Sequence, residues 1–490
     1  GGLSSAVGEM SSGMGATVQL QHVPLKYAGL RPWEIWLSEA QERMVLAVPP
    51  ENAARLRAIC ELHDVEMVSI GTFKASGRLV LHYGDTDVGS IDIEFLHEGI
   101  PTRQLQAEWN NPQIIITSDQ IPPVDLETTL LALLAHPDIR SKEEVVRRYD
   151  HEVQGGMAVK PLINEKGHGD AAVLVPYATN QQTKGVAIAN GICPTYGELD
   201  PYAMAWAAID EAMRNVVAVG ADPDQVAILD NFCWGNPNLP DRLGSLVRCA
   251  KGCYDAALAY QTPFISGKDS LNNEYTDADG NRHAIPGTLL ISAIGLVPDV
   301  ERTITADLKQ AGNLIYLIGE TRSELGGSHF EMVTGLMGGQ VPQPVPDAIQ
   351  YMRNLHQAIA QGVVQSCHDC SEGGLAVALA EMCIAGDLGA SVQFENDLFS
   401  ESLSRFIVEV RAEDVAAFES LLADTPLEKL GVVAAKPRLI IENAIDLPVA
   451  DLEQAWRGMT THPQTANASR ITTAKSIPTI QTGNPRVLIL

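Results

Sequence analysis

Hydrophobic positions over residues 200–220 predict a helix that is buried on most of its surface. The stretch DPYAMAWAAIDEAMRNVVAVG distributes Ala, Trp, Ile, Met and Val residues around nearly the whole helical circumference. Asp200 is suited to the N-cap, Pro201 to the first helical position and Gly220 to the position that ends the helix. We therefore predict a core helix between Asp200 and Gly220.

Two polar residues interrupt the apolar surface of this helix. Glu211 and Asn215 are four residues apart, so both side chains leave the same face and can reach one cation or one phosphate-bound magnesium ion. The same spacing is common on solvated helices, where it carries no site. The pair is a candidate ligand set that needs support from the rest of the chain.

The hydrophobic pattern recurs at a long interval, which indicates a duplicated domain. GGLSSAVGEM at residues 1–10 and GGLAVALAEM at residues 373–382 are identical at six of ten positions. MGATVQL from Met14 is matched by LGASVQF from Leu388, and both alternate as half-buried strands do. SEAQERMVLAVPPENAARL from Ser38 is matched by SESLSRFIVEVRAEDVAAF from Ser400, each predicting a polar turn, an apolar strand and a helix. Three matches in the same order predict two copies of one α/β domain.

The two copies differ at polar positions. Glu39 and Gln41 of the first copy correspond to Glu401 and Leu403 of the second, which has lost an amide. This difference suggests that one copy has a working site and that the corresponding site in the other copy has lost its function. In the second copy Asp369 stands shortly before the repeated helix, and the first copy begins after the equivalent position.

Between the copies the pattern changes to short strands and long helices. Pro122 and Pro123 are predicted to end the first domain, and two short helical patterns predict linker helices before an α+β domain. The final segment, QTGNPRVLIL, has the continuous apolar run of a strand buried on both faces. The predicted organisation is a first copy at residues 1–121, linker helices at 122–160, an α+β domain at 161–305, a second copy at 306–480 and a strand of a further domain at 481–490.

Charge and cysteine content narrow the functional classes. A net charge of -27 and a pI near 4.7 argue against binding to nucleic acid or to an anionic membrane surface, so any phosphate must be held by local groups. Eight scattered cysteines, with no signal peptide and no long apolar run, are typical of a reduced cytoplasmic protein. Cys367 and Cys370 form an isolated CxxC, for which buried thiols are favoured over zinc or redox chemistry.

Polar residues of the middle domain form a candidate phosphate site. Asp170 stands at a predicted strand start, Asp230 at a predicted strand end, and SGKDS in a predicted turn. In that turn Gly267 lets the backbone approach a phosphate, Lys268 can neutralise it, and Asp269 adds an oxygen ligand for a hard cation. The pattern matches neither a P-loop nor a dinucleotide-binding fingerprint, so the residues alone leave a nucleotide site open.

Several longer segments resemble the phosphoribosylformylglycinamidine synthase family of purine biosynthesis. The segments are GVAIANGICPTYGELDPYAMAWAAIDEAMRNVVAVGADP, ILDNFCWGNP, FISGKDSLNNEY, WEIWLSEAQERMVLAV, RRYDHEVQGG, DCSEGGLAVALAEM and NPRVLIL. They follow the order of that family over essentially the whole chain. The resemblance implies an α+β and α/β fold of repeated aminoimidazole-ribonucleotide-synthetase-like (PurM-like) N- and C-terminal domains, with two halves related by a pseudo-two-fold duplication.

The resemblance also implies a reaction. In the family, ATP activates formylglycinamide ribonucleotide and glutamine-derived ammonia converts it to the amidine, a C–N ligase reaction that uses positioning and Mg²⁺. The implied cofactors are ATP or ADP and Mg²⁺, and the implied partner is a glutaminase domain or subunit. NPRVLIL would open a fused glutaminase, and the chain would lack the first N-terminal domain, where catalytic residues are expected, so no catalytic residue is assigned within it.

Site residues are carried over position by position from the family. The substrate-binding residues implied in this way are Glu39, Ala40, Gln41 and Ser270, the ATP-binding residues are Asp230, Gly267 and Lys268, and the metal ligands are Asp170, Glu211, Asn215 and Asp269. Ala40 stands where the family has Ser, and Lys268 where short-chain members often have Asn. The four metal ligands are expected to converge on one site.

An alternative hypothesis is a scaffold that holds a nucleotide without reacting and docks the glutaminase, while a domain outside the chain carries the reaction. Replacement of Glu39 or Gln41 separates this from the enzyme hypothesis, because only an enzyme segment loses amidine formation. A relative that makes selenophosphate or matures hydrogenases would share the fold but would not explain the duplication.

Overall fold

The computed structural model describes residues 2–40, 43–110, 124–177, 183–336 and 339–458. The chain forms two compact units, residues 1–104 and 105–490. The predicted boundary at Pro122 and Pro123, the predicted strand at 481–490 and the candidate residue Gln41 lie outside the described residues. No helix in the described ranges is long and apolar enough to cross a membrane.

The first unit contains one four-stranded sheet and four helices. The strands, in the order β2-β1-β3-β4, enclose a small core together with the helices. The elements are α1 (Leu3–Met10), β1 (Ala16–Gln19), α2 (Pro32–Leu37), α3 (Ala53–Leu62), β2 (Gly71–Phe73), β3 (Arg78–Tyr83), β4 (Thr86–Asp92) and α4 (Ile93–Glu98).

The second unit opens with two linker helices and a six-stranded sheet of order β11-β10-β14-β9-β8-β5. Helix α8 packs against β9 and β14 of this sheet, and the long helix α9 packs against α8. The elements are α5 (Leu126–Leu134), α6 (Glu143–Val146), β5 (Met157–Val159), β6 (Leu162–Ile163), β7 (Gly167–His168), β8 (Ala172–Leu174), β9 (Gly185–Ile192), α7 (Pro194–Leu199), α8 (Pro201–Ala218), β10 (Val226–Cys233), α9 (Pro240–Tyr260), β11 (Phe264–Ser270), β12 (Glu274–Thr276), β13 (Arg282–Ala284) and β14 (Thr288–Val297).

The rest of the second unit is built on a seven-stranded sheet of order β16-β18-β15-β19-β17-β20-β21. Helix α12 lies in its core, with eleven of its thirteen residues buried. The elements are β15 (Leu314–Ile318), α10 (His329–Thr334), α11 (Ala348–Ala360), β16 (Val364–Asp369), α12 (Gly374–Gly386), β17 (Gly389–Val392), β18 (Phe406–Val410), α13 (Val415–Leu421), β19 (Leu427–Ala434), β20 (Arg438–Ile441), β21 (Ile445–Pro448) and α14 (Val449–Trp456).

Helix α8 confirms the prediction of a buried core helix. Asp200 accepts a hydrogen bond from the Tyr202 backbone N–H at 2.8 Å and so caps the helix, and Gly220 follows its end with a φ of 107°. Seventeen of its eighteen residues are buried, because the helix packs against the six-stranded sheet on one side and against β16 and α11 on the other. Glu211 and Asn215, the two predicted ligands on this helix, therefore lie in the interior of the second unit.

The predicted duplication is visible in the sheets. Strand β1 pairs antiparallel with β2 and parallel with β3, and β17 pairs in the same way with β19 and β20. The registers also correspond, since Ala16 is opposite Leu79 and Ala390 is opposite Leu439. The strand neighbours of the two copies therefore agree, and the predicted two-fold relation between the copies stays a prediction.

One predicted element of the first copy is absent. Residues 43–48 correspond to β18 but form no strand. Strand β18 is held between β15 and β16. Residues 43–48 pair with no strand in the part of the chain that the structure describes.

Candidate functional site

A polar cavity of about 410 Å³ in the second unit collects three of the four predicted metal ligands. Helix α8 contributes Glu211 and Asn215, each only 9% exposed, and Asp170 lies two residues before the start of β8. The buried helix therefore directs its two polar side chains into this cavity. These three residues meet as the sequence predicts, while their role as metal ligands stays a prediction.

The backbone of β9 fixes the two ligands of α8. The carboxylate of Glu211 accepts hydrogen bonds from the Ile192 N–H at 2.9 Å and from the Cys193 thiol at 3.4 Å. The amide nitrogen of Asn215 donates to the Asn190 carbonyl at 3.1 Å. Since that nitrogen is engaged, the amide oxygen is the atom that Asn215 can offer to a cation.

The carboxylate of Asp170 has one engaged and one unengaged oxygen. Its Oδ1 lies 2.7 Å from His368 Nδ1 and accepts the Asp369 N–H at 3.0 Å. Its Oδ2 is buried and has no hydrogen-bond partner among the described residues. Because a buried carboxylate oxygen without a partner is costly, this atom points to a ligand of the cavity.

Asp369 is the site residue that sequence reasoning missed. It lines the same cavity, and ligand atoms of Asp170, His368 and Asp369 lie within 4.8 Å of one another. Arg214 Nη2 holds Asp369 Oδ2 at 3.2 Å and the Ser371 hydroxyl at 2.8 Å. The signal available in the sequence was the position of Asp369 shortly before the repeated helix.

The electrostatics of the cavity favour a bound cation. Burial raises the pKa of Glu211 well above its ordinary value, and the neighbouring carboxylates of Glu372 and Asp369 raise it further. Burial also raises the pKa of Glu372, to about 7. For Asp369 burial acts in the same direction, but Arg214 and His368 outweigh it and lower the pKa. A divalent cation would relieve the repulsion among these carboxylates.

The structure does not bring Asp269 into this group. Asp269 lies on β11, the edge strand of the six-stranded sheet, opposite Phe232 of β10. Strand β8, which follows Asp170, is four positions away in the same sheet. At about 4.8 Å per strand this separation is roughly 19 Å, too far for a shared cation. The predicted convergence thus fails for Asp269, and Asp369 occupies the place expected for it.

The predicted ATP residues form a second group, on the adjacent strands β10 and β11. Asp230 and Gly267 are opposite each other, and a Cβ added at Gly267 would lie 2.5 Å from Asp230 Oδ1, so a larger residue there would require the Asp230 carboxylate to shift. Lys268 donates to the hydroxyl of Ser270. The segment predicted as a turn is therefore an extended edge strand, and none of these residues lines the cavity.

The remaining predicted substrate residues belong to the first unit. Glu39 forms an isolated bridge with Gly2, and both Glu39 and Ala40 are exposed to solvent. Glu401, the counterpart of Glu39 in the second copy, is only 2% exposed. It accepts hydrogen bonds from the Gly373 N–H at 2.8 Å and from the Tyr196 hydroxyl at 2.5 Å.

Known domain families match the two copies of the repeat and the domain between them. The family described as AIR synthase related protein, C-terminal domain, matches residues 1–84 and 310–442. The AIR synthase related protein, N-terminal domain, matches residues 168–297. One C-terminal domain family therefore matches both copies of the repeat.

The curated proteins that are similar to this chain carry the name of one enzyme subunit. Phosphoribosylformylglycinamidine synthase subunit PurL from Anaeromyxobacter dehalogenans is 37% identical over 487 residues, which cover 93% of this chain and 62% of the relative. The subunit of the same name from Deinococcus radiodurans is 36% identical over 487 residues, which cover 93% of this chain and 63% of the relative. The chain spans about three fifths of the length of these curated relatives.

Solved structures show the same fold. PurLQS from Thermotoga maritima has a TM-score of 0.60 and 20% identity, over 89% of this chain and 62% of that one. PurL from the same organism complexed with FGAR has a TM-score of 0.60 and 20% identity, over 89% of this chain and 60% of that one. The complex of that protein with ATP has a TM-score of 0.57 and 19% identity, over 88% of this chain and 61% of that one.

Proposed function

We propose that the chain forms the synthetase part of an enzyme that converts formylglycinamide ribonucleotide to the amidine. Over 93% of its residues the chain is a homologue of phosphoribosylformylglycinamidine synthase subunit PurL. ATP would activate the carbonyl oxygen of the glycinamide group, and glutamine-derived ammonia from a glutaminase partner would displace the phosphate. The relatives' names support the reaction, and the Thermotoga maritima complexes support substrates of these two kinds.

Within this enzyme the cavity of the second unit would hold a Mg²⁺-bound ATP or ADP. The observation that carries this proposal is the convergence of Asp170, Glu211, Asn215 and Asp369 on one cavity, with a buried oxygen of Asp170 left unpartnered. These are the hard oxygen ligands that Mg²⁺ prefers. Bound Mg²⁺ would neutralise phosphate oxygens, and Lys142, which also lines the cavity, would add one positive charge.

The second unit would keep this nucleotide rather than consume it. Glu401, the counterpart of the predicted substrate residue Glu39, is buried and bound by Gly373, Tyr196 and His329. It is therefore not free to receive a substrate. This favours the scaffold hypothesis for residues 105–490, while Glu39 in the first copy would contact the substrate.

Calorimetric titration of the 490-residue chain with ADP in excess Mg²⁺ tests the nucleotide site. We expect Asp369→Asn and Glu211→Gln to weaken binding at least about tenfold, which is about 1.4 kcal/mol, because each removes a charged ligand. Asp269→Asn is the matched control, since it makes the same chemical change on the edge strand. Its affinity should equal that of the unaltered chain.

The opposite pattern would assign the nucleotide to β10 and β11. If Asp269→Asn weakens binding and Asp369→Asn does not, the cavity is not the nucleotide site and the assignment based on sequence is restored. Absence of binding to the unaltered chain would reject the nucleotide proposal itself. Circular dichroism of each variant separates loss of a ligand from loss of the fold.

A further inference from the structure

A second cluster of ligand-type side chains lies where the loop after α5 meets the start of α10. His136, Asp138 and His329 each offer one ligand atom, and these atoms lie within 4.8 Å of one another. We propose that the three residues bind a divalent transition-metal ion such as Zn²⁺ or Co²⁺. This site goes beyond the proposed function and does not depend on it.

The distances suit one shared ion. Asp138 Oδ2 lies 3.3 Å from His329 Nε2 and 3.6 Å from His136 Nδ1. Ligand atoms that surround a tetrahedral ion at about 2.0–2.1 Å are themselves separated by about 3.3–3.5 Å. The 3.6 Å separation is too long for a hydrogen bond between the two side chains. His136 Nδ1 otherwise has a long 3.3 Å contact from the Asp138 N–H, which a metal would displace.

Glu401 supplies a second, independent observation. The other ring nitrogen of His329, Nδ1, lies 3.2 Å from Glu401 Oε1, and Glu401 is 2% exposed. A buried carboxylate behind a histidine fixes the ring and its tautomer and makes the outer nitrogen a better ligand. Here the outer nitrogen is Nε2, which faces Asp138.

The ligand types select the class of ion. Two imidazoles and one carboxylate favour Zn²⁺, Co²⁺ or Ni²⁺, whereas Mg²⁺ prefers oxygen ligands. The side chain of Asp138 is 62% exposed, which leaves a path for the ion and room for a water ligand. Asp138 also lines the nucleotide cavity, but His136 and His329 do not, so the two sites would share a border.

Bound metal would join distant parts of the chain. His329 and Asp138 are 191 residues apart in sequence and belong to the first turn of α10 and to the loop after α5. A shared ion would therefore hold the linker region against the second copy of the repeated domain. In the metal-free protein a proton on His329 would allow the ring to pair with Asp138 and Glu401. The test must therefore detect the metal directly.

Titration with Co²⁺, followed by its visible absorption in the presence of excess Mg²⁺, provides that test on the 490-residue chain. We expect one equivalent of Co²⁺ with a spectrum typical of low coordination number, displaced by Zn²⁺. His136→Gln and Asp138→Asn should each weaken binding at least tenfold, because each removes one of three protein ligands.

Two control variants locate the ion. His283→Gln disrupts a different His–Asp pair, His283 with Asp277 at 2.7 Å, which is not part of a three-ligand cluster among the described residues, and should leave Co²⁺ binding unchanged. Asp170→Asn alters the cluster of Asp170, His368 and Asp369 and should also leave it unchanged. Binding that is lost only in Asp170→Asn, binding that His136→Gln and Asp138→Asn leave intact, or no Co²⁺ binding at all would overturn the proposal.

Discussion

The two copies of the repeated domain carry one sequence pattern but bury it to very different extents. RFIVEV at residues 405–410 contains β18, where Phe406 and Val408 are both 0% exposed. The matching RMVLAV at residues 43–48 forms no strand, and Met44 and Leu46 are 83% and 64% exposed. The difference lies in the neighbours, because β18 is paired on both sides. An apolar run therefore specifies a possible strand, and adjacent strands decide whether it forms.

The matching carboxylates Glu39 and Glu401 also differ in burial, and the residue of the second copy is again the buried one. Glu39 is exposed, whereas Glu401 is enclosed by donors from Gly373, Tyr196 and His329. A carboxylate that already receives several hydrogen bonds gains little from a ligand. The position that corresponds to Glu39 is thus part of the interior in the second copy.

The largest expected effect concerns the paired and unpaired strand segments. We expect Phe406→Ala to destabilise the second copy by about 3–5 kcal/mol, because it leaves a cavity in the hydrophobic core that Phe406 helps to fill. Met44→Ala should change stability by less than about 0.5 kcal/mol, because its side chain is already in solvent. Urea titration with hydrogen exchange read separately over residues 2–104 and 310–458 measures both.

A large effect of Met44→Ala would contradict this comparison. It would mean that residues 43–48 are covered in solution. Val432→Ala provides a control within the second copy, because Val432 is on β19 of the same sheet but is 38% exposed. It should cost much less than Phe406→Ala.

The second prediction uses the buried histidine of the second copy. Burial opposes protonation of His329, but Glu401 and Asp138 outweigh it and raise its pKa to about 9 from the ordinary 6.5. Because the folded pKa is the higher one, this stabilisation is fully present below pH 6.5 and is lost as the pH rises through 9. The loss is at most about 3 kcal/mol.

Urea midpoints of the second copy, measured with a chelator at about pH 6 and about pH 10, detect this loss. His329→Gln should remove most of the difference between the two pH values. His283→Gln should not, because His283 lies on the exposed strand β13. A His329→Gln variant with the same pH dependence as the unaltered chain would show that other groups cause it.

Local signals in the sequence predicted most of the architecture. The cap at Asp200, the stop at Gly220 and the alternation around Ala16 and Ala390 each depend on a few neighbouring residues, and the structure confirms them. Whether residues 43–48 form a strand depends on pairing with other strands, as β18 pairs with β15 and β16. Sequence pattern alone does not report whether such partners exist.

The candidate site shows the same limit. Glu211 and Asn215 were found because one helix holds both, and spacing along a helix is a local property. Recognising that Asp369 rather than Asp269 lines the cavity required knowing the strand order, since β11 is an edge strand and β16 is in the other sheet. The cluster of His136, Asp138 and His329 was missed for the same reason, as His329 is 191 residues from Asp138 in sequence.

The smallest expected change in stability is at Glu39. Replacing this residue also distinguishes most sharply between a first copy that contacts the substrate and one that is a scaffold. We expect Glu39→Gln to alter stability by less than about 0.5 kcal/mol, because the side chain is exposed. In the complete enzyme that we propose, it should weaken binding of formylglycinamide ribonucleotide by roughly 10–100-fold, the value of one hydrogen bond to a charged group. Glu401→Gln should show the reverse, with a loss of stability and unchanged affinity for the ribonucleotide. If Glu39→Gln leaves both affinity and amidine formation unchanged, the first copy does not contact the substrate, and both copies would then serve as scaffold.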